Sequence, residues 1–123
     1  MIIGIGCDII EINRVEKAVQ NDSFKKRVFT EAEIAYCESR GKQQFASFAA
    51  RFAAKEAVLK ALGTGLRGGE LIEIEVLNDE LGCPQMSLRG YYEELAKSKG
   101  VGKIHVTLSH SKDSAMAYVV LEG

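Results

Sequence analysis

The three cysteines, Cys7, Cys37 and Cys83, are odd in number and no two share a C-x-x-C spacing. That excludes a disulfide framework and a structural zinc site, and it fits a reducing compartment. An excess of one charge is missing as well. Sixteen basic and seventeen acidic side chains give a net charge of -1, which removes the electrostatic footprint of a dedicated nucleic-acid binder. Any charged partner must therefore meet a local patch. No apolar run approaches the roughly 20 residues needed to cross a bilayer. The first residues, MIIGIGCDIIEI, lack a positive start and are interrupted by Gly4, Gly6 and Asp8, so they do not read as a signal peptide. A soluble, cytoplasmic protein is expected. Proline occurs once, at Pro84, and no internal repeat, low-complexity tract or linker divides the 123 residues, so one domain over 1–123 is expected. A chain of this length buries a modest share of its surface, and a second copy would help to cover its apolar faces.

What is present is clear periodicity. Ile2 to Cys7 reads as a short buried strand ending at Asp8, whose carboxylate projects where the strand stops. Ile12, Val15, Ala18 and Val19 keep helical spacing, and Lys25, Lys26 and Arg27 form a basic cluster within Ser23 to Val28. Thr30 followed by Glu33 matches a capping box, which predicts a helix from Glu31 to about Ser39. The longest helical pattern, Gln44 to Leu62, is bounded by Gly41 on one side and by Gly63 and Gly65 on the other. At about 100° per residue, Phe45, Phe48, Ala49, Phe52 and Leu59 share one side of it and Ala50, Ala54, Ala57 and Ala61 the opposite side. A helix apolar on two sides is central.

Leu71 to Leu77 sets Ile72, Ile74 and Val76 against Glu73 and Glu75, predicting a strand with one face toward water. Asn78 to Gly82 reads as a turn into a short strand near Gln85 to Ser87. Tyr91 to Lys99 reads as a helix closed by Gly100, followed by strands at Ile104 to Ser109 and Ala115 to Leu121 joined around Lys112 and Asp113. Helices in the first half and strands in the second favour an α+β domain with a mainly antiparallel sheet and helices packed on it.

Glu56 lies about 40° from Phe52 and so falls on the aromatic side of the central helix. A carboxylate there needs the surface, a cation or a metal, because burying it alone is costly. A salt bridge to Lys60, one turn on, satisfies that need without any site. Asp8 has a similarly ordinary alternative as a turn former or N-cap. If Asp8 and Glu56 converge, two hard carboxylates with no cysteine in the set suit magnesium, whose remaining ligands are commonly water and phosphate oxygens. Gly63-Thr64-Gly65 can bring backbone N–H groups to a phosphate, and it is equally a helix C-cap and loop. His105 and His110 are strand-edge histidines or ligands of a small anion, and their spacing argues against one metal clamp. Ser109, His110, Ser111 and Lys112 are rich in donors where a strand meets a turn.

Three segments, GIGCDIIEINRV at Gly4 to Val15, RFAAKEAVLKALGTG at Arg51 to Gly65 and HVTLSHSKDSAMAYVV at His105 to Val120, together resemble the bacterial holo-(acyl-carrier-protein) synthases. These are 4′-phosphopantetheinyl transferases, and the likeness spans nearly the whole chain. It implies that the chain carries the 4′-phosphopantetheine arm of coenzyme A to a serine of acyl carrier protein for fatty acid biosynthesis. By the same resemblance Asp8 and Glu56 bind magnesium, and Glu56, Lys60 and Asp8 form the catalytic set. Lys60, Gly63 and Gly65, with Ser109, His110 and Ser111, then surround the phosphates of coenzyme A. Arg51 or a histidine meets the 3′-phosphate, and Pro84 lies at a turn near the adenine. Arg14, Lys25, Lys26 and Arg27 match the region that grips the acidic carrier. The implied fold is an α+β domain assembled as a homotrimer with sites between subunits. Cys7 replaces a frequent leucine, and Val58 and Leu59 depart from an aromatic residue of some relatives; neither change touches the metal pair. A phosphohydrolase using water on the same carboxylates, and a binding module without catalysis, are the competing readings.

Overall fold

Gly4 and Gly6 determine how the first strand meets the central helix. A computed structural model describes residues 1–123. Strand β1 spans Ile2–Glu11, and three short helices follow it: α1 (Ile12–Ala18), α2 (Asp22–Val28) and α3 (Glu31–Glu38). A 3₁₀ turn leads into α4 (Gln44–Leu62), a second precedes the hairpin β2 (Ile74–Asn78) and β3 (Pro84–Leu88), and α5 (Gly90–Ser98) leads to β4 (Lys103–His110) and β5 (Ser114–Glu122).

A Cβ at Gly4 would fall 2.1 Å from the Ala61 carbonyl oxygen, and one at Gly6 would fall 2.0 Å from that of Ala57. Strand and helix backbones are therefore in direct contact. Two strand residues advance about 6.7 Å and one helical turn about 5.4 Å, so β1 runs down α4 in the opposite direction with one glycine per turn. Gly6→Ala is expected to destabilise the fold by about 1–3 kcal/mol through overpacking, seen as an earlier urea midpoint. An unchanged midpoint would mean that this contact is loose.

The sheet under α4 has the order β1-β5-β4, antiparallel throughout. Ala115, Ala117, Val119 and Leu121 of β5 point into the core beneath the helix, while Met116 and Tyr118 point outward. The aromatic side of α4 packs on the short helices, with Phe48 edge-on to Phe29 at 4.9 Å between ring centroids. The capping box is present: Glu33 N–H donates to Thr30 Oγ1, and Thr30 N–H donates to Glu33 Oε1.

Three expectations need correction. The first strand does not stop at Cys7; its pairing with β5 continues to Glu11 opposite Ser114, so Asp8 sits within the strand, opposite Ala117. The antiparallel strands form two sheets rather than one, since β2 and β3 pair only with each other. The 71–77 segment begins as a 3₁₀ turn, and Glu75 is buried rather than facing water. Its carboxylate accepts from Thr30 Oγ1 at 2.6 Å and pairs with Arg89 at 3.0 Å, and those partners cover it.

Candidate active site

Asp8 follows Gly4 and Gly6 on the face of β1 that meets α4, and this brings its carboxylate to the Glu56–Lys60 turn of the helix. Lys60 Nζ donates to Asp8 Oδ1 at 2.9 Å and to the Cys7 carbonyl at 3.0 Å. The expected Glu56–Lys60 pair therefore does not form; Lys60 reaches across to the strand. Hydrogen bonding and attraction by Asp8 raise the Lys60 ammonium above its ordinary range. Glu56 is half-buried, and its carboxyl is also raised, first by burial, then by the charge of Asp8, against a smaller opposing effect of Lys60. The two acids thus lie near enough for the charge of Asp8 to act on Glu56, which is poorly compensated. A small divalent cation suits that donor set, since magnesium binds hard oxygens and takes few ligands from protein. Asp8 and Glu56 are the residues that fit it.

Just beyond Lys60 the helix ends at Gly63 in the left-handed conformation, with φ +82, and Gly65 has φ +66. A side chain would be strained at both positions, and nothing lies within 4 Å of either missing Cβ. The turn is therefore open where those side chains would stand.

The other residues singled out by sequence gather elsewhere. Arg51 is buried: Nε donates to the Val76 carbonyl at 3.1 Å, Nη1 to Ser47 Oγ at 2.9 Å and Nη2 to Asn78 Oδ1 at 3.1 Å. Its guanidinium stacks on Tyr36, 4.5 Å from the ring centroid. Arg51 therefore ties α4 to β2, and most of its donors are already used. It does line a cleft of about 390 Å³ with Arg40, Ser47, Asn78, Leu108 and His110. Pro84 opens β3 opposite Asn78, as the first residue of a strand rather than part of the turn itself, and does not line this cleft.

Ser109, His110 and Ser111 lie at the end of β4. The register aligns Asp8 with Ala117 and Leu108, which sets Ser109 and His110 two strands, about 10 Å, from β1, while Ser111 lies in the turn after β4 and bonds Ser114. Within one chain these donors do not join the carboxylates. His105 Nε2 is 2.8 Å from Glu122 Oε1 on the exposed sheet. Of the basic cluster, Lys25 pairs with Glu38 and Lys26 with Asp22, while Arg27 bonds only a carbonyl of its own helix. Arg14 is exposed on α1.

Sequence reasoning passed over Lys55 and Tyr92, both fully buried. Lys55 Nζ pairs with Glu33 Oε1 at 2.8 Å and donates to the Leu71 carbonyl at 3.1 Å and to that of Ile74. Its signal was its place on the helix wheel, between Leu62 and Phe48. Tyr92 gives no such signal, because its hydroxyl meets a loop 25 residues away.

The family model described as the 4′-phosphopantetheinyl transferase superfamily matches residues 4–119. The chain belongs to that superfamily. The holo-(acyl-carrier-protein) synthase of Clostridium tetani is 50% identical over 124 residues, covering 100% of this chain and 98% of the relative. Among solved structures, the Neisseria meningitidis synthase superposes with a TM-score of 0.90 at 32% identity, with 100% of both chains covered. The Bacillus anthracis synthase, solved in complex with CoA (3′,5′-ADP), has a TM-score of 0.83 at 41% identity, covering 100% of this chain and 98% of that one. The α+β fold read from sequence is that of these superfamily members.

Proposed function

We propose that this transferase moves the 4′-phosphopantetheine group of coenzyme A to a serine of apo acyl carrier protein, yielding holo carrier and adenosine 3′,5′-bisphosphate for fatty acid biosynthesis. The carrying observation is the Asp8–Lys60 pair with Glu56 beside it, next to an open glycine turn. Asp8 and Glu56 hold magnesium, which when bound supplies positive charge against the diphosphate. Lys60 and the backbone of Gly63 and Gly65 receive the phosphate oxygens. Glu56 takes the serine proton as Oγ attacks the β-phosphorus; the bond from that phosphorus to the bridging oxygen breaks, and the bisphosphate leaves with the bonding pair. Lys60 offsets the charge gathering on the leaving oxygens. Glu56 is preferred to His110 as base because His110 is two strands away within the chain.

The same separation favours a homotrimer with shared sites. Ile5 and Ile9 on the outer face of the three-stranded sheet are 60% and 66% exposed, and Met116 and Tyr118 lie beside them. We assign this face to assembly, with Ser109, His110 and Ser111 reaching the phosphates of a neighbour's site and Arg51 and Pro84 flanking the nucleotide end. Arg14 and Arg27, backed by Lys25 and Lys26, receive the acidic carrier protein. Three free cysteines accord with the cytoplasm.

Incubating the enzyme with apo carrier protein, coenzyme A and magnesium should add about 340 Da to the carrier, and a chelator should abolish the gain. Release of phosphate without carrier modification would make the chain a phosphohydrolase. Coenzyme A binding with neither product would make it a binding module.

A further inference from the structure

The loop from Gly63 to Glu70 leaves the carboxylate helix and has little to fix its shape. Gly63, Gly65 and Gly68 all have positive φ, and the hydroxyl of Thr64 bonds only the neighbouring Gly65 carbonyl. Such a glycine-rich segment has many conformations to lose before its N–H groups can face a ligand together. One side chain from elsewhere in the fold bonds it. Tyr92, near the start of α5 and fully buried, accepts at its Oη the N–H of Arg67 at 3.1 Å.

The ring seats the loop as well. A Cβ at Gly69 would fall 2.7 Å from the Tyr92 ring, and one at Gly68 would fall 2.6 Å from the Tyr91 ring. The two tyrosines meet edge-to-face at 5.4 Å, and Tyr92 N–H donates to Glu73 Oε1 at 3.3 Å, which fixes the start of α5 beside the loop's far end. The loop is thus held at its origin by the α4 cap and near its far end by one phenol.

We infer that Tyr92 is a positioning residue of the transferase: its hydroxyl holds the Gly63–Glu70 loop in the form that presents the Gly63 to Gly65 backbone to the coenzyme A diphosphate. This rests on the placement of the diphosphate proposed above. Tyr92 touches no reacting atom and acts through the loop alone, so its loss weakens coenzyme A selectively and leaves the carrier surface on α1 and α2 intact.

Tyr92→Phe removes the acceptor and keeps the ring. We expect KM for coenzyme A to rise about five- to tenfold, the effect of one lost hydrogen bond, with KM for carrier protein within twofold of the parent. The amide of Arg67 should exchange with solvent faster. Tyr91→Phe, at an exposed ring whose hydroxyl holds nothing, should leave both constants unchanged. Gly69→Ala keeps the Tyr92 hydroxyl but sets a Cβ 2.7 Å from its ring, forcing loop and ring apart, and should reproduce the selective rise, which covers the case of a poorly folding Tyr92→Phe protein. Coenzyme A should slow exchange of the 63–69 amides in the parent. Protection in the parent with an unchanged KM in both Tyr92→Phe and Gly69→Ala overturns the role of Tyr92 alone, as does an equal rise of both KM values. No protection in the parent overturns the diphosphate placement and the role of Tyr92 with it.

Discussion

Glu56→Gln should lower phosphopantetheine transfer by about 10²–10⁴-fold without lowering the melting temperature. Activity and stability part company here because the ionised carboxylate is a cost to the fold. Burial and the neighbouring charge of Asp8 both push the Glu56 carboxyl up, and Lys60, engaged with Asp8, offsets only part of this. A neutral amide of the same shape relieves the repulsion and keeps the packing. The same exchange removes the serine's proton acceptor and one of two oxygen ligands for the metal. Asp8→Asn should also suppress transfer, by weakening the metal site and releasing Lys60 from its 2.9 Å pair. Steady-state transfer to apo carrier across a magnesium titration, with thermal melts alongside, reads both effects. A Glu56→Gln enzyme with near-parental turnover at ordinary magnesium would remove Glu56 from both roles.

The sequence made the helices readable because their signals are local. The capping box at Thr30 and Glu33, and the glycine stop at Gly63, are settled within four residues, and the bounds of α4 match the reading from Gln44 to Leu62. The misreadings concern partners distant in the chain. Glu75 alternates with isoleucine as a solvent-facing residue would, yet Thr30, 45 positions earlier, covers it. Arg51 sits five residues before Glu56 and looks available, but its donors are taken by Val76, Asn78 and Ser47, two of them on a strand whose approach to α4 is not written in any local pattern.

The site shows the same division. Glycines at positions 4 and 6 are visible in the sequence, but their purpose emerges only when α4 lies against them and the next residue on that face is Asp8. The Glu56–Lys60 spacing favoured an ordinary helical pair, and a tertiary contact won because Asp8 and the Cys7 carbonyl together offer Lys60 two acceptors. Family likeness supplied what spacing could not: the reason for two acids to share one place.

Lys55→Met carries the largest expected loss of stability, about 3–5 kcal/mol, from a total that for proteins of this kind is about 5–15 kcal/mol. Lys55 and Glu33 are each 0% exposed, so deleting the ammonium leaves a carboxylate in the core without its counter-charge and orphans the Leu71 and Ile74 carbonyls. Burial pulls the Lys55 ammonium below its ordinary range, while Glu33 works against that fall. The pair is thus an expensive arrangement that holds only while both members are present. Glu33 has a second oxygen on the Val76 N–H at 2.8 Å, so this one pair joins α3, α4 and β2. Urea unfolding of Lys55→Met, Glu33→Gln and the double variant separates the terms. The double variant should be less destabilised than the sum of the two single losses, since no unpaired charge remains, yet still below the parent, since the backbone carbonyls stay unpaired. Strict additivity would mean that Lys55 and Glu33 act independently. A Lys55→Met midpoint equal to the parent's would show that the core relaxes enough for water or another cation to take the ammonium's place.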